Sequence, residues 1–475
     1  MRLKKVTLKN FRCFEHLEIE LHPRLTVIVG DNGAGKTAVL DGIATALSPV
    51  LSNLSSTNQR LSGRGIKDSD FRLEATTVRG NERWIAADFA QVQAQTYDKL
   101  EWDYWRPSSS GKEPLHKIGT AELKQRLQEV SDSYKTDAPH FTPVIAYYGA
   151  RRGYIEVPER IRTARENYEH PAAALVGSLD ALSNFREMLA WFDQEESAEL
   201  RSNKGVVDEN FEEFSALTAV RAAISSLLGN SYHDPHFNKD HKFVLRRISD
   251  DAHLLVNQLS QGYQSMLALA MDFSRRLSIG NPHLSYGSTY SNNALFNAIN
   301  ELRALDARFD ETIETALLDA PAMSAPAIML VDEIDLHLHP TWQQRILGDL
   351  MRTFPLTQLV VTTHSPQVLS TVARENIRVL RETDKGYEAT IPEFSPLAHE
   401  SGDALAKIMG TQREPELPVQ ELIRSYEQLV RSGNDKTPEA IQLSKKLNEA
   451  GYEFHQSDLD TWRFLAQRKS EQKKS

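Results

Sequence analysis

The sequence predicts an α/β fold built on a mixed β-sheet, with an antiparallel β lobe, a helical lobe and a C-terminal helical segment. Three observations carry this. Short apolar, β-branched runs recur at Leu25–Val29, Val144–Tyr148, Ala327–Val331 and Gln358–Thr362, the pattern of strands in a sheet core. The first run leads through a glycine-rich turn into the helical segment Ala38–Leu47. Residues 71–105 instead alternate apolar and polar side chains, as half-buried antiparallel strands do.

Taken in order, the chain opens on paired strands Lys4–Leu8 and Leu17–Leu21 ahead of Leu25–Val29. The alternation in Trp84-Ile-Ala-Ala-Asp-Phe and Leu100-Glu-Trp-Asp-Tyr-Trp predicts an antiparallel meander, with Trp102 and Trp105 as core or edge anchors. Ser108-Ser-Ser-Gly-Lys reads as a surface turn and Val144–Tyr148 as a buried strand. Residues 160–228 read as a largely helical insert whose faces carry Phe185, Leu189, Trp191 and Phe192. No sustained heptad run supports a long coiled-coil arm. Lys242–Ile248 and His253–Val256 are short strands, and residues 280–293, rich in Gly, Ser, Asn and Tyr, read as a loop. Strands Ile377–Arg381 and Tyr387–Ile391 precede helical stretches at Gly402–Met409, Pro418–Arg431, Pro438–Ala450 and Ser457–Gln467. The charged tail from Arg468 is expected to fray. The expected division is a main domain over 1–392, with an insert at about 160–228, and a helical region over 393–475.

Gly30-Asp-Asn32-Gly33-Ala-Gly35-Lys36-Thr37, between a strand and a helix, is the arrangement a polyphosphate requires. Glycines let backbone N–H groups curl around an anion, and the helix N-terminus adds partial positive charge. Lys36 can reach the β- and γ-phosphates and the Thr37 hydroxyl can ligate Mg²⁺. The segment predicts binding of a nucleoside triphosphate.

Four later segments follow in a meaningful order. In Leu259-Ser260-Gln-Gly262-Tyr-Gln264, ahead of the helical run Ser265–Leu277, a serine, a glycine and a helix N-terminus make a second anion site. Ser-x-Gly before a helix is equally an ordinary N-cap. Ile328–Val331 ends in Asp332, able to hold Mg²⁺ through water, and Glu333, able to orient or deprotonate an attacking water. Ile334-Asp-Leu-His-Leu-His339-Pro340 continues directly from them, and Val360-Val-Thr-Thr-His364-Ser365-Pro366 ends a strand on a histidine able to sense the γ-phosphate.

Together with Asn10-Phe-Arg12-Cys-Phe14, these segments resemble the SMC/RecF-type branch of the ABC ATPases, across residues 1–366. The resemblance implies an ABC-ATPase head using ATP and Mg²⁺, with Arg12 touching the phosphates. It implies a head-to-tail dimer in which Lys36, Thr37, Asp332, Glu333 and His364 of one copy face Ser260 and Gly262 of another. No clear Q-loop glutamine follows Val144–Tyr148, where Gly149-Ala-Arg151-Arg152 stands instead, and His339 stands where many relatives carry aspartate. Within the branch, Tyr147-Tyr-Gly-Ala-Arg151, Leu259–Tyr263 and Asp332–Pro340 resemble the PtuA ATPases of Septu anti-phage systems. That implies an HNH endonuclease partner, PtuB, contact with DNA through the complex, and a docking role for residues 393–475.

Two rivals are kept in view. A RecF-like DNA-repair ATPase would act without a nuclease partner. A self-sufficient nuclease would need a metal site, for which Tyr232-His233-Asp-Pro-His236-Phe-Asn238-Lys-Asp240-His241 offers histidines and acids. No hairpin of HNH type or CxxC accompanies them, so a polar loop is the expectation. The net charge of −10 argues against an extensively basic surface. A lone cysteine, Cys13, and the lack of a long apolar run or signal-peptide core suit a cytoplasmic protein without membrane contact.

Overall fold

In the computed structural model the main unit opens with β1 (Leu3–Phe11) and β2 (Phe14–Glu20), an antiparallel pair, followed by β3 (Leu25–Val29). The structure describes residues 1–55, 60–78, 81–109, 111–153, 170–181, 185–206, 211–229, 231–284, 288–309, 320–384, 386–399, 402–403, 407–410, 417–454 and 459–465. The expected frayed tail from Arg468 and the first part of the expected helical insert, 160–169, lie outside them.

After β3 come α1 (Lys36–Ala46), α2 (Ser48–Leu54), strands β4 (Leu73–Val78), β5 (Asn81–Ala86), β6 (Phe89–Thr96) and β7 (Glu101–Pro107), then α3 (Ala121–Ser133) and β8 (Val144–Tyr148). The helical lobe contains α4 (Phe185–Ser202) and α5 (Ser215–Leu228). A small antiparallel sheet of β9 (Tyr232–Phe237), β10 (Phe243–Arg247) and β11 (His253–Leu255) leads into α6 (Gln261–Gly280) and α7 (Thr289–Leu305). Strands β12 (Ala327–Val331), β13 (Thr357–Thr362), β14 (Ile377–Thr383) and β15 (Gly386–Thr390) complete the unit.

The central sheet has the order β15-β14-β3-β13-β12-β8, parallel throughout except for the antiparallel β15 edge. Successive side chains of a strand point to opposite faces, and the cores divide accordingly. Ile28, Ile145, Tyr147, Ile328, Leu330 and Val360 join α1, α2 and the β1 sheet on one side. Val27, Val29, Ala146, Tyr148, Met329, Val331 and Val361 join α4, α5 and α6 on the other. Phe185, Leu189, Trp191 and Phe192 are buried in this second core.

Several expectations change in form. The stretch 71–105 is not one meander. β4 and β5 form their own two-stranded sheet, while β6 crosses to pair with β1 (Leu8↔Val92) in the sheet β2-β1-β6-β7. Val92 and Ala94 of β6 enter the core, whereas Trp84 on β5 is 65% exposed, so burial separates the hairpins. Trp102 is wholly buried and donates Nε1–H to Ala46 O at 2.6 Å; Trp105 lies at the edge under the Lys117 ammonium. The polar segment 232–241 is not a loop. Its first part is strand β9, paired with β10 from Phe237↔Phe243 to Tyr232↔Arg247. A bulge accommodates Asp234, at φ 50°, and Pro235, which is how so polar a sequence hides a strand. Residues 280–293 are not all loop, because α7 starts at Thr289 with Ser288 as its cap, accepting from Ser291 N at 3.3 Å.

The chain divides into compact units Met1–Met409 and Gly410–Ser475. The second holds helices Gln420–Arg431 and Pro438–Glu449 and its own small core of Ile423, Tyr426, Val430, Ala440 and Leu447. Tyr426 and Trp462 both pack on Phe454.

Candidate functional site

Parallel pairing brings the carboxyl ends of β3, β13, β12 and β8 side by side, with Thr362↔Ile28, Val331↔Val361 and Val331↔Tyr148 in register. The crevice beyond such strand ends is where open α/β sheets hold ligands. The Gly30–Thr37 turn, the Asp332–Glu333 pair, His364 and Arg152 all leave the sheet on this side.

The turn after β3 needs its glycines. Gly33 and Gly35 have φ of 86° and 96°, a region that costs a side chain energy. A Cβ on Gly35 would also lie 2.6 Å from Phe14 Cζ and 2.8 Å from Cys13 Sγ. Gly35 caps α1 without a side-chain hydrogen bond, and no acid occupies the helix's first turn. The N-terminal N–H groups are therefore left for an anion. Asn32 is exposed at the rim. Lys36 is buried and donates Nζ–H to Gly30 O and Asp31 O, both at 2.9 Å. Burial lowers its pKa, while Asp332, Asp31 and Glu333 pull it back up.

Thr37 Oγ1 donates to Asp332 Oδ2 at 2.8 Å, joining the glycine turn to the end of β12. Thr362, ending β13, donates to Asp332 Oδ1 at 2.6 Å and accepts from Glu333 N at 2.7 Å. Both oxygens of the buried Asp332 are thus fixed by hydroxyls, and Glu333 is held with φ at 47°. The next acid, Asp335, accepts from Thr363 Oγ1 at 2.6 Å and from His364 N at 3.3 Å. His364 itself is half-buried in the crevice wall. The sequence reading gave Thr362 and Asp335 no role. The available signals were a hydroxyl ending an apolar strand and an acid three positions after Asp332.

Arg12 lies in the turn between β1 and β2. Its Nη2 lies 2.6 Å from Asp41 Oδ2 on α1, and its Nε donates to Asp70 Oδ1 at 2.9 Å. Arg64 bridges the same two acids. The guanidinium thus pairs with Asp41, one helical turn beyond the glycine turn, and with Asp70 of the short turn Asp68–Asp70. Ser260 and Gly262 lie at the start of α6. Ser260 is exposed and makes no side-chain cap to its own helix. Gly262 is buried against the loop after Glu333, where an added Cβ would meet His337 O at 2.7 Å.

The histidines in and beside β9 do not converge. His236 Nδ1 lies 2.8 Å from Asp234 O and its ring packs on His253, while His241 faces Asp193 at 3.4 Å and stacks on Phe237. Among the described residues no group of three or more His, Cys, Asp or Glu is placed to hold a metal ion. Among them, too, no helix is long and apolar enough to cross a membrane.

An AAA domain family model matches residues 5–228. The Retron Vc95 probable ATPase of Vibrio cholerae serotype O1 biovar El Tor is 26% identical, covering 94% of this chain and 86% of the relative. The Retron Ec83 probable ATPase of Escherichia coli is also 26% identical, covering 94% and 84%. The Septu protein PtuA of Bacillus mycoides is 41% identical, but over only 15% of this chain and 10% of the relative. The similarity to Septu PtuA is confined to a short stretch, and the similarity over most of the chain is to retron ATPases. Among solved structures, an Smc head bound to the C-terminal winged-helix domain of ScpA aligns with 82% of the chain and 98% of its own, at 14% identity and a TM-score of 0.41. The chain has a mixed α/β fold with a largely parallel central sheet and is similar to retron ATPases over most of its length.

Proposed function

We propose that this chain is the ATP-binding and ATP-hydrolysing subunit of an anti-phage defence complex, working through nucleotide-dependent head-to-tail dimerisation. One observation carries the reading: Thr37 Oγ1 and Asp332 Oδ2 meet at 2.8 Å beside the buried Lys36. Two hard oxygen donors from opposite walls of the crevice suit a Mg²⁺ ion, with Thr37 as direct ligand and Asp332 acting directly or through water. Bound there, Mg²⁺ would neutralise charge on a triphosphate. Lys36 and the turn's N–H groups would bind the phosphates, Glu333 would orient or deprotonate water, and His364 would sense the terminal phosphate. Ser260 supplies an outward-facing hydroxyl at a helix N-terminus, suited to the nucleotide of a second copy. Nucleotide shifts the equilibrium because only the closed dimer contacts it from both sides.

The similarity to retron ATPases, and to PtuA over its short stretch, supports a defence role. A partner effector, an HNH endonuclease of PtuB type in the reading from sequence, then answers to dimer state and meets DNA through the complex. Calorimetry with ATP and Mg²⁺ tests the site. Lys36→Ala should abolish measurable binding, and equal binding by the variant and wild type would overturn the assignment. Co-purification and mass determination of a bound subunit test the partner. ATP-dependent DNA binding with no associated protein would favour the RecF-like alternative.

A further inference from the structure

We propose that Arg152 is a positioning residue for Asp332 and Glu333, setting the Mg²⁺ site from the turn after β8. The inference rests on the nucleotide-site reading above and deepens it. Arg152 follows β8 in the short helical turn Ala150–Gly153 and is 3% exposed. A buried arginine is expensive unless its donors are used. Here the two Nη groups converge on the Asp332–Glu333 backbone, while the buried Nε–H has no partner. Nη1 donates to Asp332 O, and Nη2 to Glu333 O at 2.7 Å. Nη1 also lies 3.4 Å from Gly149 O, closing the turn on itself.

These two carbonyls flank Glu333 Cα, whose φ of 47° lies in the left-handed region that a glutamate rarely adopts. Thr362 Oγ1 takes the Glu333 N–H from the opposite side at 2.7 Å. The strained residue is therefore pinned at its N–H and at the carbonyls before and after its Cα, which fixes the backbone from which its side chain projects. Asp332, Asp335 and Glu333 also act on the Arg152 guanidinium electrostatically, so the arginine offsets the repulsion among three neighbouring acids.

The turn reaches α6, the helix with Ser260 at its N-cap position. It packs on α6, and Tyr148 OH, immediately upstream, donates to Asp272 Oδ2 of α6 at 2.9 Å. Movement of α6 on closure would reach Asp332 and Glu333 through Tyr148 and Arg152. In this chain that route does not use a glutamine.

Full-length Arg152→Ala and Arg152→Lys chains are compared with wild type by ATP affinity with and without Mg²⁺, by kcat and KM separately, and by thermal melting. Arg152→Ala should keep its Mg²⁺-free affinity, lose about 10- to 100-fold of the Mg²⁺-dependent gain in affinity, and lose kcat rather than KM. Added methylguanidinium should restore part of the loss, and Arg152→Lys, which keeps the charge and some donors, should fall between. An unchanged Mg²⁺ gain in a folded Arg152→Ala chain overturns the proposal. So does loss of Mg²⁺-free and Mg²⁺-dependent binding together in both variants without rescue, the mark of a merely structural role. If wild type binds Mg²⁺ and ATP without turnover, the hydrolysis reading fails and the affinity comparison still decides the role of Arg152. If wild type binds no nucleotide, both readings fall.

Discussion

Asp272 shows how much of this molecule's order rests on single buried groups. Burial alone would push its carboxyl pKa up, but the Arg276 and Arg275 guanidinium groups hold it below its ordinary value. Arg276 Nε donates to it at 2.7 Å, Arg275 Nη2 at 3.0 Å and Tyr148 OH at 2.9 Å. Asp272→Asn would leave two arginines buried against a neutral amide and should cost about 3–5 kcal/mol at neutral pH. Because the folded pKa is depressed, the stabilisation is present above the unfolded value and is lost as pH falls through the folded one. The melting-temperature gap between wild type and Asp272→Asn should therefore narrow below about pH 4; a gap independent of pH would contradict the ion-pair account. Trp102→Ala should cost about 3–5 kcal/mol in urea unfolding, since the ring is wholly buried and its N–H is bonded to Ala46 O. Lys36, Thr37, Asp332 and Glu333 were legible in the sequence because each sits at a fixed short offset from a glycine or a strand end. The bonds of Arg152 to carbonyls about 180 positions away were not, since they depend on β8 and β12 pairing in register.

Between elements, the contact that matters most is Gly262 against the backbone of His337, because it joins the start of α6 to the loop after Glu333 within one copy. His337 is itself left-handed, with φ at 63°. A methyl group at Gly262 cannot fit without moving one of these backbones. Gly262→Ala should therefore leave nucleotide affinity intact, slow hydrolysis by about tenfold, and cost about 1–3 kcal/mol in stability. Equal hydrolysis by the variant would show that the contact is slack. The apolar strands β3, β8, β12 and β13 were readable because every residue in them is buried. β9 was not, because its alternation is broken by the Asp234–Pro235 bulge. Nor did alternation in 71–105 tell which strand β6 would choose, since pairing partners are set by tertiary burial rather than by local pattern.

At the level of the assembled chain, the two compact units suggest a division of labour: nucleotide chemistry in Met1–Met409, and a small helical unit with its own core in Gly410–Ser475. All the candidate site residues lie in the first. Removing the second should leave ATP affinity unchanged while abolishing capture of a partner subunit; loss of ATP binding on truncation would place part of the site elsewhere. The central claim is that nucleotide joins two copies of the head. It is tested most directly by the solution mass of the Glu333→Gln chain, measured by light scattering with ATP and Mg²⁺ and without. The account predicts a doubling of mass that requires both ATP and Mg²⁺ and that Lys36→Ala added to the same chain removes. A Glu333→Gln chain that binds ATP and Mg²⁺ yet keeps the mass of a single copy would contradict it.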